Sequence, residues 1–262
     1  MKSAMKPQTL LSLSAVLAAT VLSAAEARPK PATTLPATAN DSEPRPVSLF
    51  NGQDLSAWRK PVGEWMPVKA VLLGRTNEAV FAITPGRGVI VNGATGKTVD
   101  LLSTFEHGDV EAHLEFCVPK GSNSGVYFMG RYEIQIFDSA GKKVVTSSDC
   151  GGIYERWKDG KGFDGHSPKV NAARRAGDWQ TLDVVFRAPR FDAKGKKTEN
   201  AKFIKVTLNG MTIHENVECT GPTRSAKFEN EKDEKPKGPV QLQGDHGPVA
   251  FRNLQFRPVT LD

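Results

Sequence analysis

An all-β sandwich or jelly roll is the fold class this sequence predicts, and three observations carry the prediction. Apolar and polar residues alternate with period two in six separate runs. No window of a dozen residues holds a helical stripe of apolar side chains. The 262 residues are punctuated by 24 glycines and 17 prolines, as the turns between short antiparallel strands require.

The runs follow one another along the chain. In 110–118 (VEAHLEFCV), Val110, Ala112, Leu114, Phe116 and Val118 fall on one face, and Glu111, His113, Glu115 and Cys117 on the other. The same alternation continues in 125–137 (GVYFMGRYEIQIF), 181–188 (TLDVVFRA), 203–209 (FIKVTLN), 238–243 (GPVQLQ) and 250–256 (AFRNLQF). Asn209-Gly210 links VTLN to MTIH and can take the positive φ angles of a tight hairpin turn. Gly177-Asp178-Trp179-Gln180 leads into one strand, with Trp179 expected as a core anchor rather than a sugar platform.

Ahead of these runs, Lys2 and Lys6 precede the apolar stretch 10–25, and Ala25-Glu26-Ala27 offers the small residues of a cleavage site. Residues 1–27 therefore read as a secretory signal peptide, too short in apolar length for the roughly 20 residues of a membrane-crossing helix. Residues 28–46 carry five prolines among small polar residues and read as a flexible linker, so that a single domain spans 47–262. The expected location is periplasmic or secreted, with no membrane span once the signal is cut. Stretches 194–202 and 227–237 mix lysines with acids and are expected to be solvated loops.

Composition narrows the function classes. With 39% apolar and 24% charged residues the chain has enough material for a core. The formal charge of +6 falls to +5 once residues 1–27 are removed, and its lysines and arginines sit in mixed-charge loops without interleaved aromatics, which argues against a nucleic-acid partner. Cys117, Cys150 and Cys219 are too few for a disulfide framework and have no zinc-ligand spacing; burial is the expectation for each.

One stretch combines cation, carboxylate and amide on a single strand face: Arg131, Glu133 and Gln135 alternate with Tyr132, Ile134 and Ile136, and Asp138 follows at once. Such a mixture suits a polyhydroxylated ligand. Further along, Cys150-Gly151-Gly152-Ile153-Tyr154-Glu155 places a Tyr–Glu pair after glycines that permit close backbone approach, and 241–247 (QLQGDHG) ends a strand with Gln243 and His246. His246 is the histidine expected to be functional; His107, His113, His166 and His214 have less to recommend them.

The spacing Glu133-x-Gln135-x-x-Asp138 resembles the E-x-D-x-x-E strand of concanavalin-like β-glucanases, with Gln135 and Asp138 replacing two of its three functional positions. A retaining hydrolase needs two carboxyls about 5–5.5 Å apart, so that resemblance does not extend to direct hydrolysis. A wider resemblance covers 49–58 (LFNGQDLSAW), 123–138 (NSGVYFMGRYEIQIFD), 150–155 (CGGIYE), 177–192 (GDWQTLDVVFRAPRFD), 208–218 (LNGMTIHENVE) and 242–258 (LQGDHGPVAFRNLQFRP). In this order the segments are similar to the 3-keto-disaccharide hydrolase domain family.

That resemblance implies a concanavalin A-like sandwich acting outside the cytoplasm on a glycoside already oxidised at C3 by a separate oxidoreductase. A C3 ketone acidifies the C2 proton; its removal gives an enolate, the C1 substituent leaves by β-elimination, and water adds to the resulting enone. The protein must supply a base at C2, a stabiliser for the enolate oxygen and an acid for the leaving oxygen; a divalent metal ion could provide the second. The resemblance supports these positions as segments; within them Glu133 or His246 is the expected base or metal ligand, with Asp138 close by. Tyr154 is the candidate proton donor, with Glu155 as its alternative, while Arg131, Gln135 and Gln243 orient sugar or enolate. A non-catalytic lectin-like carbohydrate-binding module is the competing reading, and a conventional glucanase a further one.

Overall fold

A computed structural model of the chain describes residues 44–223 and 234–262. The signal peptide and nearly all of the linker expected at 1–46 lie outside the described residues. Within these the elements are β1 (Val47–Ser48), β2 (Met66–Leu73), β3 (Phe81–Val91), β4 (Leu101–His107), β5 (Val110–Cys117) and β6 (Asn123–Phe128). They continue with β7 (Tyr132–Phe137), β8 (Arg156–Lys158), β9 (Lys161–Phe163), β10 (Gln180–Arg187), β11 (Arg190–Phe191) and β12 (Lys197–Glu199). The last four are β13 (Ala201–Leu208), β14 (Met211–Cys219), β15 (Gly238–Leu242) and β16 (Ala250–Pro258).

These strands form the expected concanavalin A-like antiparallel sandwich. One sheet runs β14-β13-β10-β5-β16-β3-β2, with β1 added against β16; the other runs β4-β15-β6-β7. Their facing sides share one apolar core, in which Val126, Phe128, Ile134 and Ile136 of the smaller sheet meet Leu114, Phe186, Phe203 and Phe256 of the larger. Phe128 lies 5.3 Å from Phe186 and 5.5 Å from Phe203, ring centre to ring centre. Truncating such an aromatic costs about 3–5 kcal/mol.

His107 is embedded in this core against Phe105, Phe128, Phe186 and Phe256. Its Nε2 accepts the Met129 N–H at 3.0 Å and its Nδ1 donates to Gly108 O at 2.8 Å, which fixes a neutral ring. Burial holds its pKa down at about 4.

The outer face of the large sheet is less polar than alternation implies. Cys117 points away from the main core into a second apolar cluster with Val68, Val71, Phe81, Val89, Val91 and Ala250. Trp179 packs against the same cluster beneath the Arg252 guanidinium, 4.0 Å above its ring, so it anchors this satellite rather than the main core. His113 and Glu115 are buried as well, through partners on neighbouring strands: Asp183 at 2.6 Å for His113, Arg252 Nε at 2.7 Å for Glu115. All three cysteines are free and buried, with burial raising the Cys117 and Cys150 thiols to about 12.

Three expectations need correction. The run 125–137 is two strands, because Met129 (φ 56°) and Gly130 (φ 64°) turn the chain and set Phe128 opposite Tyr132. Stretch 194–202 is not wholly loop: Lys197–Glu199 pairs with β11, and Ala201 opens β13 fully buried. Of 227–237, residues 227–233 lie outside the described residues, and Glu234 is buried rather than solvated. Its carboxylate accepts from Lys197 Nζ at 2.7 Å and from the Tyr132 hydroxyl, a pairing that offsets the cost of burying the charge.

Candidate active site

The cleft lies on the outer face of the smaller sheet, and antiparallel pairing explains its composition. Since Val126, Phe128, Ile134 and Ile136 face the core, their neighbours Tyr127, Glu133 and Gln135 must face out. Register sets Tyr127 beside Glu133 and Gly125 beside Gln135. On one side the row is extended by β15, which pairs Gln241 with Tyr127 and brings the Gln243 N–H to Gly125 O at 3.0 Å.

On the other side the segment 150–154 docks along the free edge of β7. Gln135 N–H donates to Gly152 O (2.8 Å), Gly151 N–H to Gln135 O (2.8 Å), and Tyr154 N–H to Glu133 O (3.1 Å). The glycines are needed there: a Cβ on Gly152 would stand 2.2 Å from Ser147 O. Two rows result across the sheet, Tyr154–Glu133–Tyr127 and Gly152–Gln135–Gly125–Gln243.

Together they floor a cleft of about 400 Å³, closed by Asn123, Trp157 of β8, Thr223, Asp245 and His246. Glu133 is only 3% exposed. Its carboxylate leans over Gly125, where a Cβ would lie 2.2 Å from Oε1, so this glycine provides the room for the acid. Thr223 holds the start of β7 by accepting the Glu133 N–H at 2.6 Å and donating its hydroxyl to Arg131 O at 3.0 Å.

The Gln135 amide has two settings. In one its nitrogen donates to Asn123 Oδ1 (3.1 Å) and weakly to Ser148 O (3.4 Å). Turned over, it donates to Ser124 O (3.2 Å) and Glu133 Oε1 (3.1 Å). The second is favoured, because the first sets the amide oxygen against two acceptors. Gln243 sends its amide nitrogen towards the Tyr127 hydroxyl (3.4 Å) and keeps Oε1 buried without a partner among the described residues.

Opposite, His246 Nδ1 is hydrogen-bonded to the Asp245 carboxylate. An ionised carboxylate only accepts, so Nδ1 carries the proton in the neutral ring and Nε2 keeps its lone pair. Burial, then the Glu133 and Glu155 carboxylates, push the Tyr154 phenol above its ordinary pKa. Tyr154 therefore holds its proton at neutral pH.

Five of the side chains singled out from sequence, Glu133, Gln135, Tyr154, Gln243 and His246, line this cleft. Three do not. Arg131 ends the β6–β7 turn and is not among the residues lining the cleft, its N–H bonded to Phe128 O at 3.0 Å. Asp138, past the end of β7, accepts the Gly121 N–H at 3.0 Å and braces a loop. Glu155 lies one residue beyond Tyr154, turned against Gly162, where an added Cβ would meet its carboxyl carbon at 2.1 Å.

Asn123, Tyr127, Trp157, Thr223 and Asp245 were missed as lining residues. Tyr127 is legible, since a turn placed at 129–131 sets it opposite Glu133; Trp157 lies in a three-residue strand and Thr223 in an irregular stretch, neither long enough to show periodicity. Among the described residues no three His, Cys, Asp or Glu side chains converge as a metal site. Glu133, Asp245 and His246 share the cleft without forming such a cluster, so the side chains present do not fit a preformed divalent-metal centre.

Comparison with known proteins gives one family and a group of solved folds. The model of the 3-keto-alpha-glucoside-1,2-lyase-like domain matches residues 45–257. No curated protein matches the chain. A crystal structure from Parabacteroides distasonis, described as a "putative glycosyl hydrolase", is 26% identical with a TM-score of 0.61, covering 82% of this chain and 84% of its own. A second of the same description from that organism is 16% identical with a TM-score of 0.50, covering 82% and 95%, and supports the fold. By the extent of the family match, which takes in both sheets and every residue that lines the cleft, the chain belongs to the 3-keto-alpha-glucoside-1,2-lyase-like domain family.

Proposed function

We propose that this chain cleaves 3-keto-glycosides by β-elimination across C1 and C2, followed by hydration. Membership of the family and the 26%-identical relative support a carbohydrate-active, glycosyl-hydrolase-like role. The observation that carries the finer reading is the company kept by Glu133: a buried carboxylate with a proton-holding phenol on one side and an imidazole–carboxylate pair across the cleft. That set supplies a base for C2, an acid for the leaving oxygen and a second proton acceptor for the water that adds afterwards. The carboxyl at the acid position of the glucanase pattern, Asp138, is not part of it, since it lies outside the cleft lining and braces a loop.

In this reading Glu133 takes the C2 proton, and the electron pair forms the enolate conjugated to the C3 oxygen. Collapse of the enolate forms the C1=C2 bond and expels the C1 oxygen, which receives the Tyr154 proton. Water then adds its hydroxyl to C1 and a proton to C2, giving the free 3-keto sugar. His246, oriented by Asp245, takes a proton from the incoming water through Nε2, while Gln135 and Gln243 orient the sugar and the enolate. Export by residues 1–27 and supply of substrate by a C3-oxidising oxidoreductase belong to the same proposal.

The test is incubation of the purified protein with a 3-keto-glucoside and its parent glucoside, with and without chelator, following aglycone release and enone absorbance. Release from the keto substrate alone is expected. Release from the parent, or none from either by folded protein, would overturn the reading, the second result in favour of a lectin-like binder.

A further inference from the structure

His246 sits in an irregular loop, and one buried side chain bonds the loop backbone on both sides of it. Asn92, immediately after β3, is fully buried and does not line the cleft. Its Nδ2 donates to Gly244 O at 3.0 Å and to Gly247 O at 2.8 Å, and its Oδ1 accepts the Val249 N–H at 2.8 Å. All three bonds go to backbone on either side of the Asp245–His246 pair.

Nearby contacts clamp the same segment. Ser122 Oγ donates to Pro248 O at 2.6 Å, the Gly244 N–H donates to Asp100 Oδ1 at 2.9 Å, and a Cβ on Gly96 would come within 2.0 Å of the Gly247 carbonyl carbon. A catalytic imidazole must keep its position to well under an ångström, and a loop supplies that only when its backbone polar groups are tied to rigid elements.

We propose that Asn92 is a positioning residue for the reaction, fixing the 244–249 loop so that the Asp245–His246 pair is presented to the cleft. This rests on the function proposed above. Asn92 bonds both flanks of the pair, and replacing it leaves the Gly247 carbonyl and the Val249 N–H without their Asn92 partner, while Gly244 O keeps the Thr98 N–H at 3.1 Å.

The experiment is a double-mutant cycle, with a 4-nitrophenyl 3-keto-glucoside whose activated leaving group keeps weakened variants measurable. Asn92→Ala is expected to lower kcat about 100-fold with little change in KM, the size of effect that a misplacement near 1 Å produces. In the His246→Ala background the same substitution should change kcat by less than a factor of about three, because the group it positions is gone. Should Asn92→Ala fail to fold, Asn92→Ser, whose hydroxyl can still reach one of the partners, takes its place in the cycle with a smaller loss expected. A folded Asn92 variant with wild-type kcat, or one whose loss is equally large without His246, would overturn the proposal. Wild-type protein inactive on the keto substrate would instead remove the underlying function.

Discussion

Gly125 illustrates how a residue without a side chain sets the chemistry of its neighbour. It pairs with Gln135 in the centre of the small sheet, yet what fills the space above it is the Glu133 carboxylate. Gly125→Ala would bring a methyl group to 2.2 Å from Oε1, so the acid must swing away. Loss of turnover by about 100-fold is expected on a 3-keto-glucoside, read as kcat, in a protein that stays folded by circular dichroism. Unchanged kcat would show that Glu133 need not occupy this position. Glu133→Gln keeps the shape and removes the base; it should retain binding of the keto sugar by calorimetry while turnover disappears, and full turnover would exclude Glu133 as the base.

The β6–β7 hairpin shows at the scale of elements what was legible in the sequence and what was not. Alternation gives the correct inward and outward faces within each strand, and so finds Glu133 and Gln135. It does not show that Met129 and Gly130 interrupt the run, since a turn that preserves apolar character leaves the pattern intact; Arg131, a strand position by alternation, lies in that turn. Nor does periodicity reveal contacts made from a distance. The Tyr132 hydroxyl at the start of β7 is bound by Glu234, a hundred residues on, within a stretch whose lysines suggest solvent. Lys197→Met would leave the Glu234 carboxylate buried with only the Tyr132 hydroxyl and water to satisfy it. A loss of about 3–5 kcal/mol is expected in urea unfolding, against about 1–3 for Tyr132→Phe, which removes a single neutral donor. Equal losses for the two would mean that the Lys197 ion pair contributes no more than the Tyr132 hydrogen bond.

Across the whole molecule, two buried histidines make folding depend on pH in a window that the carboxylates do not share. His107 lies between the sheets, and His214 Nε2 donates to Gly151 O, 2.7 Å away, behind the segment that carries Tyr154. Burial depresses both to about 4 from an ordinary 6.5. An unfolded chain therefore takes up protons near pH 6.5 that the native one refuses until about 4, and stability present above pH 6.5 falls as the pH is lowered between these values. Each histidine should cost about 2–3 kcal/mol by pH 4.5, following from the 2.5-unit separation at 1.36 kcal/mol per unit. Asp109 and Asp149, held below 3.8 by Arg190 and Lys142 respectively, lose their contribution only in stronger acid. Urea midpoints measured at pH 7.5 and 4.5 should differ clearly, and His214→Gln should remove about half of the difference. A midpoint that stays level from pH 7.5 to 4.5 would mean that both rings protonate in place, and that neither the core around His107 nor the docking of the Tyr154 segment depends on a neutral imidazole.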